Sequence, residues 1–442
     1  MSQYSRVSTP RAYMDRLSFN LANGWRTISN YTLVQDDKST AVTFDAGQIE
    51  DLFDMRPANF ATIASTTQKF YLQIDTGQSS DTVSEANFLA ILGHNLDYAN
   101  VMFRVIHDDT ITSNNMVSAN SVTAASAGAY TGVTGVINAT QSAAYTNTSA
   151  TKTNGSTGTG TTFDVLDGSV FANHIGGILK VGSEKMMLQV INSNTLTVVR
   201  GVHGTTTAGH ATAQWVYFDY SDCIAPENNG WTLITWPNNN TDNQYYRIEF
   251  LETDEHGDDT THANATTNFA QDLQIGAILF GEFISWPTSP RMEVGFDIDY
   301  DGTDIVTSAG GGTFANTSYL GSPTWAKTNP WVIAGAGSEN QTFAESRHYG
   351  RRKWNMDFSY IADTSLFLQN MHGGAGMIDG SDLYSQFYHK SLGSHLPFLF
   401  TIDEDSTDEG DFGLYRLANG GLQSTQQAFR FWNTKLNLIE HW

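Results

Sequence analysis

The chain has 442 residues and a formal net charge of −23. This length exceeds what one hydrophobic core usually organises, so two or three domains are expected. The acidity favours solubility and suppresses random association. Because an acidic surface repels phosphate, it cannot gain the counterion release on which nucleic-acid affinity largely rests, and we expect no DNA or RNA partner. The sequence contains a single cysteine, Cys223, which excludes an intrachain disulfide and a cysteine metal cluster.

The composition predicts an all-β protein. Charged residues make up 16% of the chain, and Gly, Thr, Asn and Ser separate short apolar runs, which favours strands and turns over long helices. The first residues lack the apolar core of a secretion signal, and no run of about eighteen apolar residues could span a bilayer. We therefore expect a protein that is made in a cytoplasm and reaches other places only by assembly.

Residues 1–26 are predicted to form an N-terminal arm. After a polar start, Tyr13, Leu17, Phe19 and Leu21 supply apolar side chains that could dock against an edge strand. Terminal segments are usually poorly ordered unless something ties them down. The arm therefore either packs on the first domain or is tied to a neighbouring subunit.

Two stretches far apart in the sequence are predicted to belong to one sheet-on-sheet domain. Residues 88–105 and 273–284 each have a strand core of Leu, Ile, Val and Phe, interrupted by glycine where the backbone turns or is closely approached. Neither stretch can bury its apolar face alone. This β-sandwich would comprise residues 27–118 and 218–287. Its further strands are predicted at 31–34, 41–44, 70–75, 231–236 and 245–250.

The residues between these two blocks are predicted to be an insertion. Residues 119–160 have too little apolar surface to offset the entropy of ordering them, so they are interpreted as a linker or long surface loops. Residues 161–217 contain β-rich runs that suffice for a small closed or nearly closed barrel. Lengthening a loop from about five to about a hundred residues adds roughly 2 to 3 kcal/mol of closure entropy, which the host domain tolerates.

Residues 288–442 are predicted to form a last, β-rich domain that serves assembly. Strands are expected at 293–300, 352–361, 397–402 and 429–439, with short helices at 367–371 and 382–389. In the second of these strands Trp354, Met356, Phe358 and Tyr360 alternate with polar residues. This period of two predicts that the four side chains share one buried face.

The sequence carries no catalytic motif of the common types. It has no zinc-protease, nucleophile-elbow, phosphate-loop or dinucleotide-binding motif. Carboxylates of the kind calcium prefers cluster at 297–302 and 403–411, but they are interpreted as a strand face and an acidic surface loop. His94 is interpreted as a structural histidine that ties down a turn. We therefore expect no enzyme, cofactor or metal site, with a pair of distant catalytic carboxylates as the alternative.

Several strand segments together resemble the discoidin-like, galactose-binding jelly roll. These are the strand 70–77, which ends in Asp75 and Gly77, the strand 90–95, which leads to His94 and Asn95, and the segments 246–250 and 275–281. The resemblance implies that residues 27–118 and 218–287 form a jelly-roll β-sandwich.

The order of the pieces also resembles virion proteins from the tail-tip region of tailed bacteriophages. The similar segments are 10–13, 181–184, 196–206, 350–360, 397–400 and 439–440. The third, an Arg-Gly-x-x-Gly-Thr-Thr run followed by Ala211, is the most specific. The resemblance implies a distal tail or baseplate protein, assembled in the host cytoplasm and located in the virion tail. Its partners would be copies of itself in a ring and the tail tube, hub or fibre proteins, without membrane insertion.

The predicted assembly residues are Arg351, Arg352, Lys353 and Trp354. The first three form a run of basic residues in an acidic chain, which fits an acidic loop of a neighbour such as 403–411, and a solvated strand end is the alternative interpretation.

Two other functions are kept as alternatives. One is recognition of host surface glycans by loops of the jelly roll or by the insert, which would make the chain a receptor or adhesion protein. The other is a carbohydrate-degrading tail enzyme.

Overall fold

A computed structural model of the chain describes residues 8–35, 40–66, 69–77, 86–108, 111–112, 115–116, 120–121, 139–141, 160–171, 177–202, 205–210, 214, 216–218, 223–226, 229–236, 243–252, 269–299, 303–317, 351–367, 382–406, 409–418 and 422–441. Within these ranges the chain consists mostly of antiparallel strands with few helices, which confirms the all-β prediction.

The strands are numbered in chain order. In the first part of the chain they are β1 (Arg11–Asp15), β2 (Tyr31–Gln35), β3 (Phe44–Ala46), β4 (Ala61–Ile63), β5 (Phe70–Asp75), β6 (Phe88–His94), β7 (Val101–Asp108), β8 (Ile111–Thr112), β9 (Asn115–Met116), β10 (Asn120–Ser121) and β11 (Ala139–Gln141). In the middle they are β12 (Thr162–Asp164), β13 (Ile178–Val181), β14 (Glu184–Asn192), β15 (Thr195–Arg200), β16 (Val216–Phe218), β17 (Ile224–Pro226), β18 (Gly230–Thr235), β19 (Tyr245–Glu252) and β20 (Leu273–Ser285). In the last part they are β21 (Gly295–Asp299), β22 (Thr303–Thr307), β23 (Thr313–Thr317), β24 (Arg351–Ala362), β25 (Phe398–Thr401), β26 (Phe412–Leu417), β27 (Gln423–Ala428) and β28 (Phe431–Glu440).

Short helical segments connect some of the strands. They are α1 (Arg16–Ala22), α2 (Asp363–Leu366), 3-10 turns at Ile28–Asn30, Ile49–Phe53, Ser169–Phe171 and Glu409–Asp411, and a π-helical turn at Tyr384–His389. The π-helical turn occupies most of the predicted helix at 382–389. The other predicted helix, 367–371, lies outside the described residues after its first position.

The two distant apolar stretches are hydrogen-bonded neighbours. β6 and β20 run antiparallel, with Ile91 opposite Ile278. The stretch 88–105 is nevertheless two strands, because β6 lies in one long sheet and β7 lies in the sheet that faces it. The chain changes sheets just after Gly93, which has φ +66, and a Cβ atom there would lie 2.2 Å from the carbonyl oxygen of Pro57. Glycine is therefore required where the chain leaves the long sheet.

Two sheets pack face to face around a shared apolar core. The long sheet contributes β18, β6 and β20, and the facing sheet has the order β11-β17-β7-β19-β5-β2. Because side chains alternate along a strand, one side of each strand fills the space between the sheets. This core includes Leu89, Ile91, Ile278 and Phe280 from the long sheet and Phe70, Leu72, Phe103, Val105, Ile248 and Phe250 from the facing sheet.

The N-terminal strand β1 lies in the middle of the long sheet. It pairs with β20 on one side and β25 on the other, so that Ala12 is opposite both Ile284 and Phe400. All five residues of β1 are buried. Ala12 and Met14 belong to one core, and Tyr13 belongs to another on the opposite face. Residues 11–15 are thus an internal strand where an arm docked on an edge was predicted.

The charged ends of β1 have partners from distant parts of the chain. Arg11 donates to Glu404 at 2.8 Å and to the Ser285 hydroxyl at 2.9 Å. Asp15 caps the N-terminus of α1 and accepts from the amide of Phe280 at 2.9 Å. Buried charges are tolerated where such hydrogen bonds satisfy them. These bonds explain how a strand that begins with arginine and ends with aspartate can be internal.

The long sheet curls strongly on itself. In its strand order β18 and β26 are separated by β6, β20, β1 and β25. In a flat sheet they would lie about 24 Å apart. Trp231 on β18 and Phe412 on β26 nevertheless lie 5.4 Å apart between ring centroids. The sheet therefore wraps around a second core, which includes Tyr13, Phe88, Leu233, Leu279, Leu399 and Leu414.

The strands of residues 288–442 continue this same sheet. Beyond β25 the order runs β26-β28-β24-β21, with β27 paired to β28. A third core on the other face includes Met14, Trp286, Met356, Phe358, Phe387, Phe398, Phe400, Tyr415 and Leu438. Met356 and Phe358 are buried there as predicted, but Tyr360 is 65% exposed. A bulge between Phe358 and Ile361 shifts the alternation, so that Ile361 takes the buried position expected for Tyr360.

The insert is a five-stranded antiparallel sheet of order β12-β15-β14-β13-β16. A closed barrel is not confirmed, because β12 and β16 stand at the two ends of this order among the described strands. All five strands contribute to one core, which also includes Met102 of β7 and Leu251 of β19. The insert therefore packs on the outer face of the facing sheet. The predicted linker 119–160 lies largely outside the described residues, apart from residue 160 and the short strands β10 and β11, which pair with β7 and β17.

Replacing Ala12 with proline tests the central position of β1. Proline cannot donate to a strand ladder and leaves a buried carbonyl without its partner, so we expect the free energy of unfolding to fall by at least about 2 kcal/mol. Thermal unfolding monitored by circular dichroism measures the effect. Gln423→Pro is the control, because Gln423 is the exposed first residue of β27 and proline is tolerated at the start of an edge strand. Equal unfolding midpoints for the two variants would contradict the internal position of β1.

Candidate functional site

The predicted assembly residues lie at the start of β24, and Arg352 among them is satisfied within the chain. Its Nη2 lies 2.7 Å from Oε1 of Glu440, and its own amide donates to the other carboxylate oxygen at 2.9 Å. The guanidinium also donates to the carbonyl oxygens of Gly410 at 2.8 Å and Phe412 at 2.6 Å. Burial opposes the charge, but Glu440 outweighs it and raises the pKa of Arg352. Arg352 therefore links β24 to β28. Reversal of its charge would disrupt the fold, so the variant would not test assembly by itself.

Lys353 and Trp354 also contact other strands of the same chain. The ammonium of Lys353 forms an ion pair with Asp299 of β21. Trp354 donates from Nε1 to the hydroxyl of Tyr415 at 3.0 Å, and its ring centroid lies 4.6 Å from that of Phe296. These contacts hold β21 and β26 against β24. The assembly role of Lys353 and Trp354 stays a prediction.

Arg351 belongs to a group of cations that come from three separate parts of the chain. Burial, followed by the charges of Arg56 and Arg351, lowers the pKa of Arg416. Arg416 donates to the carbonyl of His395 at 2.6 Å. Among the described residues no carboxylate lies within 4.0 Å of Arg56 or Arg416. We call Arg56, Arg351 and Arg416 the basic cluster, and its positive charge suits an acidic partner.

The acidic loop 403–411 makes its contacts inside the chain. Glu404 is the partner of Arg11, and Asp411 accepts from the Ser406 hydroxyl at 2.7 Å. In the described part of the chain, which omits residues 407–408 of this loop, no group of three or more His, Cys, Asp or Glu side chains could hold a metal ion. The other carboxylate-rich segment includes the strand β21, as predicted.

The far end of the long sheet exposes apolar side chains. β21 pairs only with β24 among the described strands, so it is an edge strand. Its Phe296 and Ile298 are exposed, and Ile305, Val306 and Phe314 in the following hairpin β22–β23 are each more than half exposed. Adjacent strand residues point to opposite faces, so the hairpin is apolar on both sides, and a lone two-stranded hairpin is at best marginally stable in water. We call these five residues the edge patch.

A second apolar group lies at the opposite end of the ribbon formed by β24 and β28. Phe429, in the turn between β27 and β28, is 83% exposed, and Tyr360 and Phe431 are exposed nearby with their ring centroids 6.4 Å apart. We call these three residues the tip patch. Phe296 pairs with Trp354, which precedes Tyr360 by six positions on β24. At about 3.3 Å per residue, the two patches are separated by at least roughly 20 Å along the ribbon.

In the insert, residues at the start of the Arg-Gly-x-x-Gly-Thr-Thr run and just after it surround the buried carboxylate of Glu184. Glu184 accepts from Nε and Nη2 of Arg200, both at 2.6 Å, and pairs with Nε2 of His210 at 2.8 Å. It also accepts from the amides of Ala208 at 2.9 Å and Gly201 at 3.2 Å. Burial opposes ionisation, but these hydrogen bonds outweigh it and hold the pKa of Glu184 below its usual value. With both oxygens occupied, Glu184 is a structural group.

A second buried ion pair lies on the face of the sheet that the insert covers. Arg104 of β7 and Glu249 of β19 are opposite each other in the ladder, and Arg104 Nε donates to Glu249 at 2.7 Å. Both side chains are essentially inaccessible. Burial raises the pKa of a carboxyl, but the charges of Arg104, Lys69 and Arg247 outweigh it and lower the pKa of Glu249 to about 2. This cluster is closed to ligands, and it lies on the same strands as Met102 and Leu251, which belong to the core of the insert.

His94 is a buried, neutral histidine. Its Nδ1 accepts from the amide of Leu96 at 3.3 Å, so Nε2 carries the proton and donates to the Thr232 hydroxyl at 2.8 Å. Burial lowers the pKa of His94 to about 3. The side chain thus ties β6 to β18 at the corner where the chain changes sheets, in line with its interpretation as a structural histidine.

Comparison of the chain with family models, curated proteins and solved structures finds no match. Within the described ranges no helix is both long enough and apolar enough to cross a membrane. The functional conclusion therefore rests on the surfaces and sites of the molecule itself.

Replacing Glu184 with glutamine is expected to destabilise the insert by about 3 to 5 kcal/mol, because Arg200 is left as a buried charge without its carboxylate. Hydrogen exchange of the β13–β15 amides is the appropriate measurement, because it reports opening of the insert separately from the rest of the chain. Asp357→Asn is the control, since Asp357 forms only an exposed pair with Lys435 at 3.9 Å. Unchanged exchange in Glu184→Gln would show that the carboxylate does not hold the insert together.

The lowered pKa of His94 predicts that the chain loses stability in mild acid. Its folded pKa of about 3 lies below the ordinary value of 6.5, so between these values the unfolded chain binds a proton that the folded chain does not. The free energy of unfolding therefore falls as pH decreases through this window, by about 1.4 kcal/mol per pH unit from this group. Urea unfolding at pH 7, 6 and 5 measures the slope. We expect a smaller slope in His94→Gln and the wild-type slope in the control His395→Gln, which alters an exposed histidine. The same slope in wild type and His94→Gln would disprove the assignment.

Proposed function

We propose that the chain is a structural component of a tailed bacteriophage virion, of the distal tail or baseplate type, that assembles with copies of itself into a ring. The observation that carries this proposal is the pair of exposed apolar surfaces at opposite ends of the β24–β28 ribbon. Large exposed apolar groups on a folded chain mark interaction surfaces. The most exposed side chain of the tip patch is Phe429, at 83%, and that of the edge patch is Phe314, at 66%.

Two different patches favour a head-to-tail contact over a two-fold dimer. In a two-fold dimer the same surface of each copy meets itself, whereas a head-to-tail contact joins one surface to another and generates rings when the rotation closes. The edge patch offers the unpaired backbone of β21 together with apolar side chains, and the tip patch offers aromatic rings. Aromatic side chains are enriched at the centres of such interfaces.

The charges of the chain support the same arrangement. Copies that each carry a net charge of −23 repel one another unless a contact brings opposite charges together. The basic cluster provides cations at the end of the ribbon where β24 begins. It fits an acidic surface of a neighbouring copy or of another tail protein, and such complementarity fixes the orientation of docking.

Segments that resemble phage tail-tip proteins coincide with joints between strands and modules. Residues 10–13 overlap β1, Arg200 and Gly201 of the segment 196–206 bind Glu184, and residues 351–360 form most of β24. Residues 439–440 end with the partner of Arg352. This coincidence supports a shared architecture as the source of the resemblance.

The proposal assigns no catalytic role to the chain. A glycosidase needs one carboxyl group with a raised pKa as the acid and a second carboxylate beside it. The buried Glu184 and Glu249 have lowered pKa values and are each bound to an arginine. Burial raises the pKa of Asp15, Asp54 and Asp97, but Asp15 caps α1, and Asp54 and Asp97 accept hydrogen bonds from Asn59 and Asn229. A structural role accounts for all of them without an enzymatic step.

The mass of the purified chain in solution tests the proposal. We expect a species whose mass is a multiple of 48.5 kDa and larger than a dimer. Phe429→Asp and Ile298→Asp should each give monomers, because a buried charge disrupts the tip patch or the edge patch. A mixture of the two should form heterodimers and nothing larger, since each variant retains the patch that the other lacks.

Leu166→Asp is the control, because Leu166 is 58% exposed but lies in the insert, and its ring should form normally. Native mass spectrometry resolves all these species. A wild-type chain that stays monomeric at every concentration, or two variants that do not combine on mixing, would refute head-to-tail assembly.

A further inference from the structure

Two residues at the tip of the β24–β28 ribbon have a left-handed backbone conformation, although neither is glycine. Tyr360 has φ +58 and Arg430 has φ +62. This conformation costs free energy in a residue with a side chain, because its Cβ atom crowds the following carbonyl oxygen, and only glycine and asparagine adopt it readily. Among the described residues six other than glycine have positive φ, and two of them lie at the tip patch. Strained positions of this kind cluster at functional sites.

The conformation of Tyr360 belongs to the β-bulge in β24. The register of β24 against β28 shifts between Phe358 and Ile361, and both of these residues are buried. The residues of the bulge leave the regular alternation of the strand, and bulges re-aim side chains in this way. The side chain of Tyr360 is therefore directed outward, and the residue is 65% exposed.

The exposed ring of Tyr360 adds little to the stability of the single chain. It makes an edge-to-face contact with Phe431, at 6.4 Å between ring centroids, and Phe431 is itself exposed. Glycine would adopt the same backbone conformation without strain. The fold of the single chain therefore does not account for a tyrosine at position 360, whereas a contact with another molecule does.

Arg430 places a positive charge beside the aromatic rings of the tip patch. Its guanidinium lies 5.5 Å from the ring centroid of Phe429, and its side chain is 68% exposed. The ion pair of Arg430 with Asp363 is long, at 3.8 Å, and exposed pairs of this kind contribute little free energy. The tip thus presents aromatic surface together with a solvated cation.

The edge strand β21 has the complementary properties. Its Phe296 and Ile298 are exposed, and Asp297 and Asp299 alternate with them. Because neighbouring residues of a strand point to opposite faces, the apolar and the acidic side chains lie on different sides of the same edge. An aromatic ring with an adjacent cation therefore matches this strand in both polarity and charge.

We propose that Tyr360 is the anchor residue of the head-to-tail contact, and that the bulge presents its ring to the edge patch of the next copy at a cost to the stability of the single chain. This inference rests on the proposed function. The ring packs on Phe296 and Ile298 of the next copy, with Arg430 close to the aspartates of the same strand. Tyrosine suits this role, because its large ring has few rotamers and loses little conformational entropy on binding.

A single contact of this kind can be measured with two variants that each retain one patch. Ile298→Asp keeps the tip patch and Phe429→Asp keeps the edge patch, so their mixture forms one head-to-tail contact. Analytical ultracentrifugation at a series of concentrations gives its dissociation constant. Adding Tyr360→Gly or Tyr360→Asn to the Ile298→Asp chain should weaken the contact by about thirtyfold or more, as expected for a central anchor. Tyr360→Phe, which keeps the ring, should bind nearly as tightly as its parent.

Urea unfolding of the same chains separates an anchor from a structural residue. Glycine and asparagine relieve the strain at position 360, so the unfolding midpoint of the Ile298→Asp chain should stay unchanged or rise in both variants while binding is lost. Ser193→Gly is the matched control, because Ser193 has φ +54 in an exposed turn of the insert. It makes the same kind of backbone change and should leave the contact unaltered.

The outcomes distinguish this inference from the proposed function. If Ile298→Asp and Phe429→Asp do not associate, the proposed function fails and the anchor role fails with it. If they associate and the folded Tyr360→Gly chain binds as tightly as its parent, only the anchor role is overturned, and the exposed ring serves a different partner. A lower urea midpoint in both Tyr360→Gly and Tyr360→Asn would show that the tyrosine stabilises the fold, and would also overturn the proposal.

Discussion

β1 is hydrogen-bonded along both of its edges, and this pairing joins the strands on its two sides into one continuous sheet. Without it, β20 and β25 would each present a row of unpaired backbone groups, and the sandwich and the C-terminal strands would be separate sheets. The bonds that β1 makes span nearly the whole chain, since Arg11 contacts Ser285 and Glu404. Contacts of such sequence separation require the closure of long loops, so we expect the first strand in the sequence to complete the sheet late in folding.

In four places a pair of arginine and glutamate with at least one buried side chain links separate segments of the chain. A buried ion pair adds little net stability, because desolvation of both charges offsets their attraction, but loss of one partner is costly. Such a pair therefore specifies which surfaces meet more than it strengthens the contact. Lysine and arginine are half as numerous as acidic residues in this chain, so few basic side chains are available to form such pairs. The pairs are Arg11–Glu404 at β1, Arg104–Glu249 under the insert, Arg200–Glu184 inside it and Arg352–Glu440 between β24 and β28.

Strands that carry apolar side chains on at least one face could be predicted from the sequence, and strands without an apolar face could not. The stretches 70–75 and 245–250 carry the alternation of a half-buried strand, and both lie in the facing sheet. Gln423–Ala428 forms an exposed edge strand with no apolar face. Its strand conformation depends on pairing with the neighbouring β28 and is not evident from its own residues. The run of basic residues predicted a candidate site at Arg351–Trp354. The partners of Arg352 and Lys353, which are Glu440 and Asp299, could not be predicted, because the register of the paired strands brings them together. The basic cluster brings together residues of three separate segments, and no local sequence pattern predicts that they meet.

An exposed apolar edge strand is an aggregation hazard, and the acidic residues around it limit what can pair there. β21 carries Asp297 and Asp299 between its apolar residues, and charge on an edge opposes indiscriminate strand pairing. A partner for this edge must bring both apolar surface and positive charge. The tip patch has these properties, because Arg430 lies 5.5 Å from the ring centroid of Phe429 and is largely exposed. Head-to-tail contacts either close into a ring or continue as a filament, and the two outcomes use the same surfaces. In the proposed assembly, the acidic edge favours one complementary neighbour over any free strand, and the geometry of that contact decides whether the assembly closes.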